Sequence, residues 1–97
     1  MEKHEYPICL VKIETEGGVS YEASLPDFSY MELCGRGKTA TAALKDARQQ
    51  KNLLFKDYVD KGIDLPIPNS VFCNIDSVRH QLNYLYLGKK YTAFMIH

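Results

Sequence analysis

The sequence lacks any apolar run long enough to cross a bilayer: the longest, residues 7 to 11, falls far short of the roughly 20 residues that a membrane helix needs. It also lacks a secretory start, because Met-Glu-Lys-His-Glu does not resemble the opening of a signal peptide. A cytoplasmic protein with no membrane partner is therefore expected. Paired cysteines are missing too. Cys9, Cys34 and Cys73 are widely separated and show none of the close spacing that zinc sites use, so they read as buried free thiols. There is no net charge, with 12 basic residues against 12 acidic ones, and there are no internal repeats or low-complexity segments.

What is present is an ordinary globular composition: 45% hydrophobic, 25% charged, with seven tyrosines in 97 residues. A chain of this length forms one domain and buries roughly 60 to 70% of its unfolded surface around a single core. Its charges are unevenly spread. Residues 1 to 35 carry seven acids against Lys3 and Lys12, whereas residues 36 to 61 carry seven bases against Asp46, Asp57 and Asp60. Such asymmetry suits electrostatic steering of a partner, and a solvated helix face produces it equally well.

Residues 8 to 14 are apolar nearly throughout and run into Thr-Glu-Gly-Gly, a hairpin signal. From Val19 the pattern alternates. Val19, Tyr21, Ala23 and Leu25 share one face, and Ser20, Glu22 and Ser24 share the other, as in a strand with one wet side. Pro26 has no N–H for a ladder and Asp27 favours an Asx-turn, so pairing should stop at Leu25, with Leu25 and Phe28 pinning a corner into the core. A short third strand is expected at residues 30 to 34, before Gly35-Arg36-Gly37 breaks the chain.

Thr39 is a suitable N-cap for a helix running to about Lys61, with Gly62 just past its end. Ala43, Ala47, Gln50, Leu54 and Tyr58 form its inner stripe, flanked by Leu44 and Phe55; Lys45, Gln49, Asn52 and Lys56 lie opposite. The alanines of its first half allow close approach to the sheet. Residues 63 to 69 read as an extended connector. Beyond it, Val78, Leu82, Leu85 and Tyr86 fit a helix capped by Asp76 or Ser77 and ended by Gly88, although Leu-Tyr-Leu-Tyr also suits a strand. Residues 90 to 96 read as a final, central strand.

Catalysis finds few footholds. The acids do not cluster in sequence as metal-dependent phosphoryl chemistry requires, Asp27 being the sole one at a strand end with a defined turn. His4 and His97 lie at the chain termini, and His80 reads as solvated or lightly packed. The segment Gly35-Arg36-Gly37-Lys38-Thr39 lacks the spacer of a Walker loop, leaving at most a modest anion site at the helix start. No cofactor is expected. Arg36, Lys38, Lys45, Arg48 and Lys56 are the candidate contacts for phosphates or an acidic partner. Tyr84, Tyr86 and Tyr91 suit base stacking, or packing in a core or an oligomer interface.

L-P-D-F at 25 to 28, G-K-T-A-T-A-A-L-K-D-A at 37 to 47 and G-I-D-L-P-I-P-N-S at 62 to 70, followed by an apolar strand, together resemble the HicB family of antitoxins. The residues carrying the resemblance are Leu25, Pro26, Asp27, Phe28, Gly37, Thr39, Gly62, Leu65, Pro66 and Pro68. It implies a partial ribonuclease-H-like fold without the nuclease's catalytic acids, homodimers or higher homo-oligomers, and a small HicA-like ribonuclease toxin as the partner to be masked. The chain departs from the family pattern in a longer insert after Phe28, which lacks the usual Pro-Gly, and in Lys38, which stands where an acid is usual. It also ends at the final strand. One domain, residues 1 to 97, is expected, with no separate C-terminal DNA-binding domain.

The combined expectation is an α+β domain of order β-β-β-α-(α)-β, with a small mixed sheet and one long helix on one face. Its expected function is non-catalytic masking of a ribonuclease. The alternative is a stand-alone RNA-binding module; a residual metal-dependent nuclease ranks last.

Overall fold

A strand whose residues are apolar in both registers needs cover on both sides, and the first strand finds it. The computed structural model describes residues 6 to 96, so His4 and His97 lie outside the described residues. The elements run β1 (Ile8–Thr15), β2 (Gly18–Ser24), β3 (Cys34–Gly37), α1 (Ala40–Asp60), a 3₁₀ turn (Ser70–Cys73), α2 (Ile75–Leu85) and β4 (Lys90–Ile96). Cys9, Val11 and Ile13 of β1 are buried beneath Val78, Leu82 and Tyr86 of the α2 segment. Leu10 turns the other way, into a core with Ala23, Leu25, Phe28, Leu33, Ala43 and Ala47. One helix therefore covers each face.

The sheet has the order β3-β2-β1-β4, and every pairing in it is antiparallel. This corrects two expectations. The sheet is not mixed, because each neighbour is reached by a hairpin or by a return that reverses direction. Nor is β4 central: it pairs with β1 alone and forms an edge, its apolar residues on one face packing under α2 while Phe94 on the other is half exposed.

The third strand also begins later than its sequence suggests. Backbone bonds from Glu32 and Leu33 to the Ser29 carbonyl make residues 30 to 32 a turn, and Gly35-Arg36-Gly37 lies within β3. These glycines do not break the chain. A Cβ built on Gly35 would lie 2.3 Å from both the Ala43 carbonyl oxygen and the Ala47 nitrogen, and one on Gly37 would lie 2.6 Å from the Ala42 Cβ. Glycine in a strand marks close backbone approach, and here the approaching backbone is the alanine-lined first half of α1. The inner stripe read from the sequence is the one observed, with Ala43 and Ala47 buried and Leu44, Leu54, Phe55 and Tyr58 packed beside them.

Both ends of α1 follow the expected chemistry. The Thr39 hydroxyl accepts from the Ala42 N–H at 3.1 Å. At the other end Gly62, at φ +69°, lets its own N–H reach the Val59 carbonyl and the Ile63 N–H reach that of Tyr58, the paired bonds of a Schellman cap. Helix α2 forms where expected, but its cap is Asn74, whose side chain accepts from the Asp76 N–H, rather than Asp76 or Ser77.

Helix α1 also seals the outer edge of β3. Gln50 accepts from the Cys34 N–H at 3.1 Å and donates to the Cys34 carbonyl at 2.9 Å, while Asp46 accepts from the Arg36 N–H at 2.9 Å. An unpaired sheet edge invites further strands, and covering it with side chains is one way to prevent this.

Candidate functional site

The corner after β2 is built as its sequence requires, with one difference. The Phe28 N–H bonds to the Leu25 carbonyl at 2.9 Å, and both side chains are buried. Phe28 packs on Tyr6, Phe55 and Tyr58 with ring centroids 5.1, 5.5 and 6.2 Å away. Asp27 forms no local Asx-turn: its Oδ1 accepts from the N–H of Asn69, 42 residues on, at 2.8 Å. Its Oδ2 is buried without a hydrogen-bond partner among the described residues. Tyr6 completes the joint by donating to the Pro66 carbonyl, and Leu65 packs against the same core. Burial first, and the nearby Asp27 charge second, push the Tyr6 phenol above its ordinary range.

The L-P-D-F corner and the L-P-I-P-N connector are thus a single unit, in which Asp27 is a cross-chain clasp. Asp27→Ala removes the acceptor for the Asn69 amide and should cost about 1 kcal/mol, read as a lower urea midpoint at unchanged m-value. An unchanged midpoint would show that the clasp contributes nothing.

Beside this unit an open groove of about 600 Å³ runs between the corner and α2. Phe72, Tyr30 and Tyr84 supply apolar surface, His80 and Gln81 polar groups. Tyr84 is 83% exposed, whereas Tyr86 is buried and Tyr91 partly so, and those two rings pack on each other with centroids 5.4 Å apart. Of the three candidate stacking tyrosines, Tyr84 alone is fully exposed.

The five candidate basic residues divide between two faces. Lys45, Arg48 and Lys56 lie exposed along α1, and Lys38 is exposed just before it. Arg36 points to the α2 side of the sheet, its Nε 3.3 Å from Glu22 Oε2 and its guanidinium 5.8 Å over the Tyr30 ring. At the start of α1, the Ala42 and Ala43 amides are already taken by the Thr39 hydroxyl and carbonyl.

Glu22 is the residue that sequence reasoning misplaced. Strand alternation put it on a wet face, yet only 18% of its side chain is exposed, because Tyr30 and the end of α2 cover that face. Tyr86 donates to Oε1 at 2.8 Å, Tyr30 donates to the same oxygen, and the Cys34 Sγ lies 3.9 Å away. Burial acts to raise the Glu22 pKa, but the two phenols and Arg36 outweigh it and hold the carboxyl below its ordinary range. Both phenols are pushed up, chiefly by burial and then by hydrogen bonding. The result is an ionised carboxylate held by protonated tyrosines, which ties β2, the turn, β3 and α2 together.

The thiols divide in the same unforeseen way. Cys9 and Cys34 are buried, and burial pushes the Cys9 thiol up to about 11. Cys73 is exposed, on the outside of the 3₁₀ turn, which corrects the expectation of three buried thiols. Among the described residues no group of three or more His, Cys, Asp or Glu side chains is placed to hold a metal, and no helix is long and apolar enough to cross a membrane.

No family model matches the chain, and comparisons with curated proteins and with solved structures return no match either.

Proposed function

We propose that the chain is a HicB-like binding domain with a partial ribonuclease-H-like fold, acting without catalysis by masking a small, HicA-like ribonuclease. The observation that carries this reading is the clasp between Asp27 and Asn69. The two segments most distinctive of the resemblance, far apart in sequence, meet there as one structural unit beside an open groove. The groove mixes exposed aromatic surface with a few polar groups, the composition typical of protein interfaces.

The test pairs the purified chain with the product of an adjacent small open reading frame. Cleavage of a labelled RNA by that product should cease at equimolar chain. Tyr84→Ala, on an exposed side chain, should weaken the inhibition about tenfold or more while leaving the circular dichroism spectrum intact. Undiminished cleavage at saturating chain would refute masking.

A second reading draws on the exposed row of Lys45, Arg48 and Lys56, which suits a phosphate backbone. It requires tight binding of single-stranded RNA at low salt that collapses at moderate salt. A packed protein interface is far less salt-sensitive.

A further inference from the structure

Asp27 carries a charge that the chain leaves uncompensated. No described lysine or arginine pairs with it, and its one described hydrogen bond comes from an uncharged group, the Asn69 backbone amide. Its Oδ2 is closed off from solvent as well as unpartnered among the described residues, so water screens the carboxylate poorly. The charge is felt nearby, since it adds to the upward shift of the Tyr6 phenol.

Asp27 is also the sole acid lining the groove between the corner and α2. No lysine or arginine lines that groove, and His80 is the one lining residue able to carry positive charge. The candidate basic side chains stand elsewhere: Lys45, Arg48 and Lys56 are on α1, and Arg36 is held by Glu22 over the Tyr30 ring. An anion in a concave wall thus waits without a cation from its own chain.

Three rings complete the site. Tyr84 comes from α2, Phe72 from the 3₁₀ turn and Tyr30 from the turn before β3. The face of an aromatic ring is negative and attracts cations, and rings gathered near a carboxylate recognise one strongly. Tyr30 already shows this preference, for the Arg36 guanidinium lies 5.8 Å from its ring centroid.

We propose that the groove receives a basic side chain, arginine or lysine, from the protein partner, with Asp27 as its counter-charge and Tyr84, Phe72 and Tyr30 as the rings beside it. This rests on the reading of the groove as a protein interface and names what the partner inserts there. Two other occupants suit the groove less well. An RNA base would stack on Tyr84, but its phosphates need cations where the groove supplies Asp27. An apolar side chain would bury that carboxylate further without pairing it.

Titration of the purified chain with the capped tripeptide Gly-Arg-Gly, followed by nuclear magnetic resonance, tests this without a partner protein. Shifts should gather at the amides of residues 27 to 30, Phe72 and residues 80 to 85, with a Kd on the order of 1 mM. The peptide carrying citrulline, similar in shape and uncharged, should bind about tenfold or more weakly. Asp27→Asn keeps an oxygen able to accept from the Asn69 amide, so the corner stays closed, and should abolish that preference. Tyr84→Leu keeps apolar bulk without a π face and should reduce it severalfold. The proposal is overturned by equal affinity for the two peptides, by no shift at these amides, or by an unaltered preference in the Asp27→Asn chain. Shifts there from a single-stranded RNA oligonucleotide but not from the arginine peptide would overturn it too. Masking is decided separately, by RNA cleavage. A chain that stops cleavage yet shows no preference for arginine refutes only the cation site, and one that prefers arginine yet leaves cleavage undiminished refutes only masking.

Discussion

Gly35→Ala is expected to lower stability by at least about 3 kcal/mol, a fall in Tm of roughly 12 to 24 °C for a domain of this size. The added methyl meets backbone at 2.3 Å, the Ala43 carbonyl and the Ala47 nitrogen, so no side-chain rotation relieves the clash. Either α1 lifts from β3, or β3 shifts and loses the bonds that Gln50 and Asp46 make to its edge. Gly17→Ala is the control. In the hairpin turn the nearest atom to such a methyl is the Thr15 hydroxyl oxygen at 3.8 Å, and the change should be within about 0.5 kcal/mol of neutral. Comparable Tm values for the two variants would show that α1 and β3 are not in backbone contact.

Glu22→Ala should cost about 3 kcal/mol at neutral pH, because it leaves the hydroxyls of buried Tyr86 and half-buried Tyr30 without their acceptor and Arg36 without its counter-charge. Most of the loss comes from the phenols: Arg36 is largely exposed and its pairing is screened. The same carboxylate carries a pH dependence. The Glu22 carboxyl is held below its ordinary value of 4.5 in the folded chain, so below about that pH the unfolded chain takes up the proton first. Its contribution is complete above the unfolded pKa and disappears as pH falls through the lower, folded one. The stability difference between the parent chain and Glu22→Gln, followed by urea unfolding, should therefore shrink as pH is lowered from neutral into this acid range. A constant difference would remove the carboxylate's charge from the account.

Much of this fold was legible because local chemistry and global packing agree. The β1–β2 hairpin, the stop at Pro26, both ends of α1 and its inner stripe each follow from residues that dictate one local outcome. Where the sequence misled, one residue type served a purpose that neighbours in the chain do not reveal. Gly35 and Gly37 resemble turn residues until the alanines of α1 lie against them. Glu22 resembles a solvent-facing strand residue until Tyr86, 64 residues away, closes over it. Asp27 resembles a local turn former, and its partner is Asn69. Strand β4 seemed central because both its faces are apolar; on one of those faces Phe94 is left half exposed, because α1 packs mainly over β3 and β2.

The candidate site was readable to a smaller extent. Lys45, Arg48 and Lys56 share an exposed helix side, as helical spacing predicts, while Arg36, adjacent to them in sequence terms, faces the other way because β3 is a strand there. The groove beside the corner was not foreseen. It needs Phe72, His80 and Tyr84 to be brought against residues 26 to 30, and no periodic pattern encodes that meeting.

The pairing of β1 with β4 has a kinetic consequence. It joins Ile8 to Ile96, so the first described strand is completed by the last. The hairpin, β3 and α1 can assemble from neighbouring segments, whereas the α2-side core requires closing a loop through almost the whole chain. Loop-closure entropy must be met before those contacts form, which places this step late and makes it slow. During synthesis on the ribosome, Val11 and Ile13 would remain uncovered until nearly the entire domain had emerged.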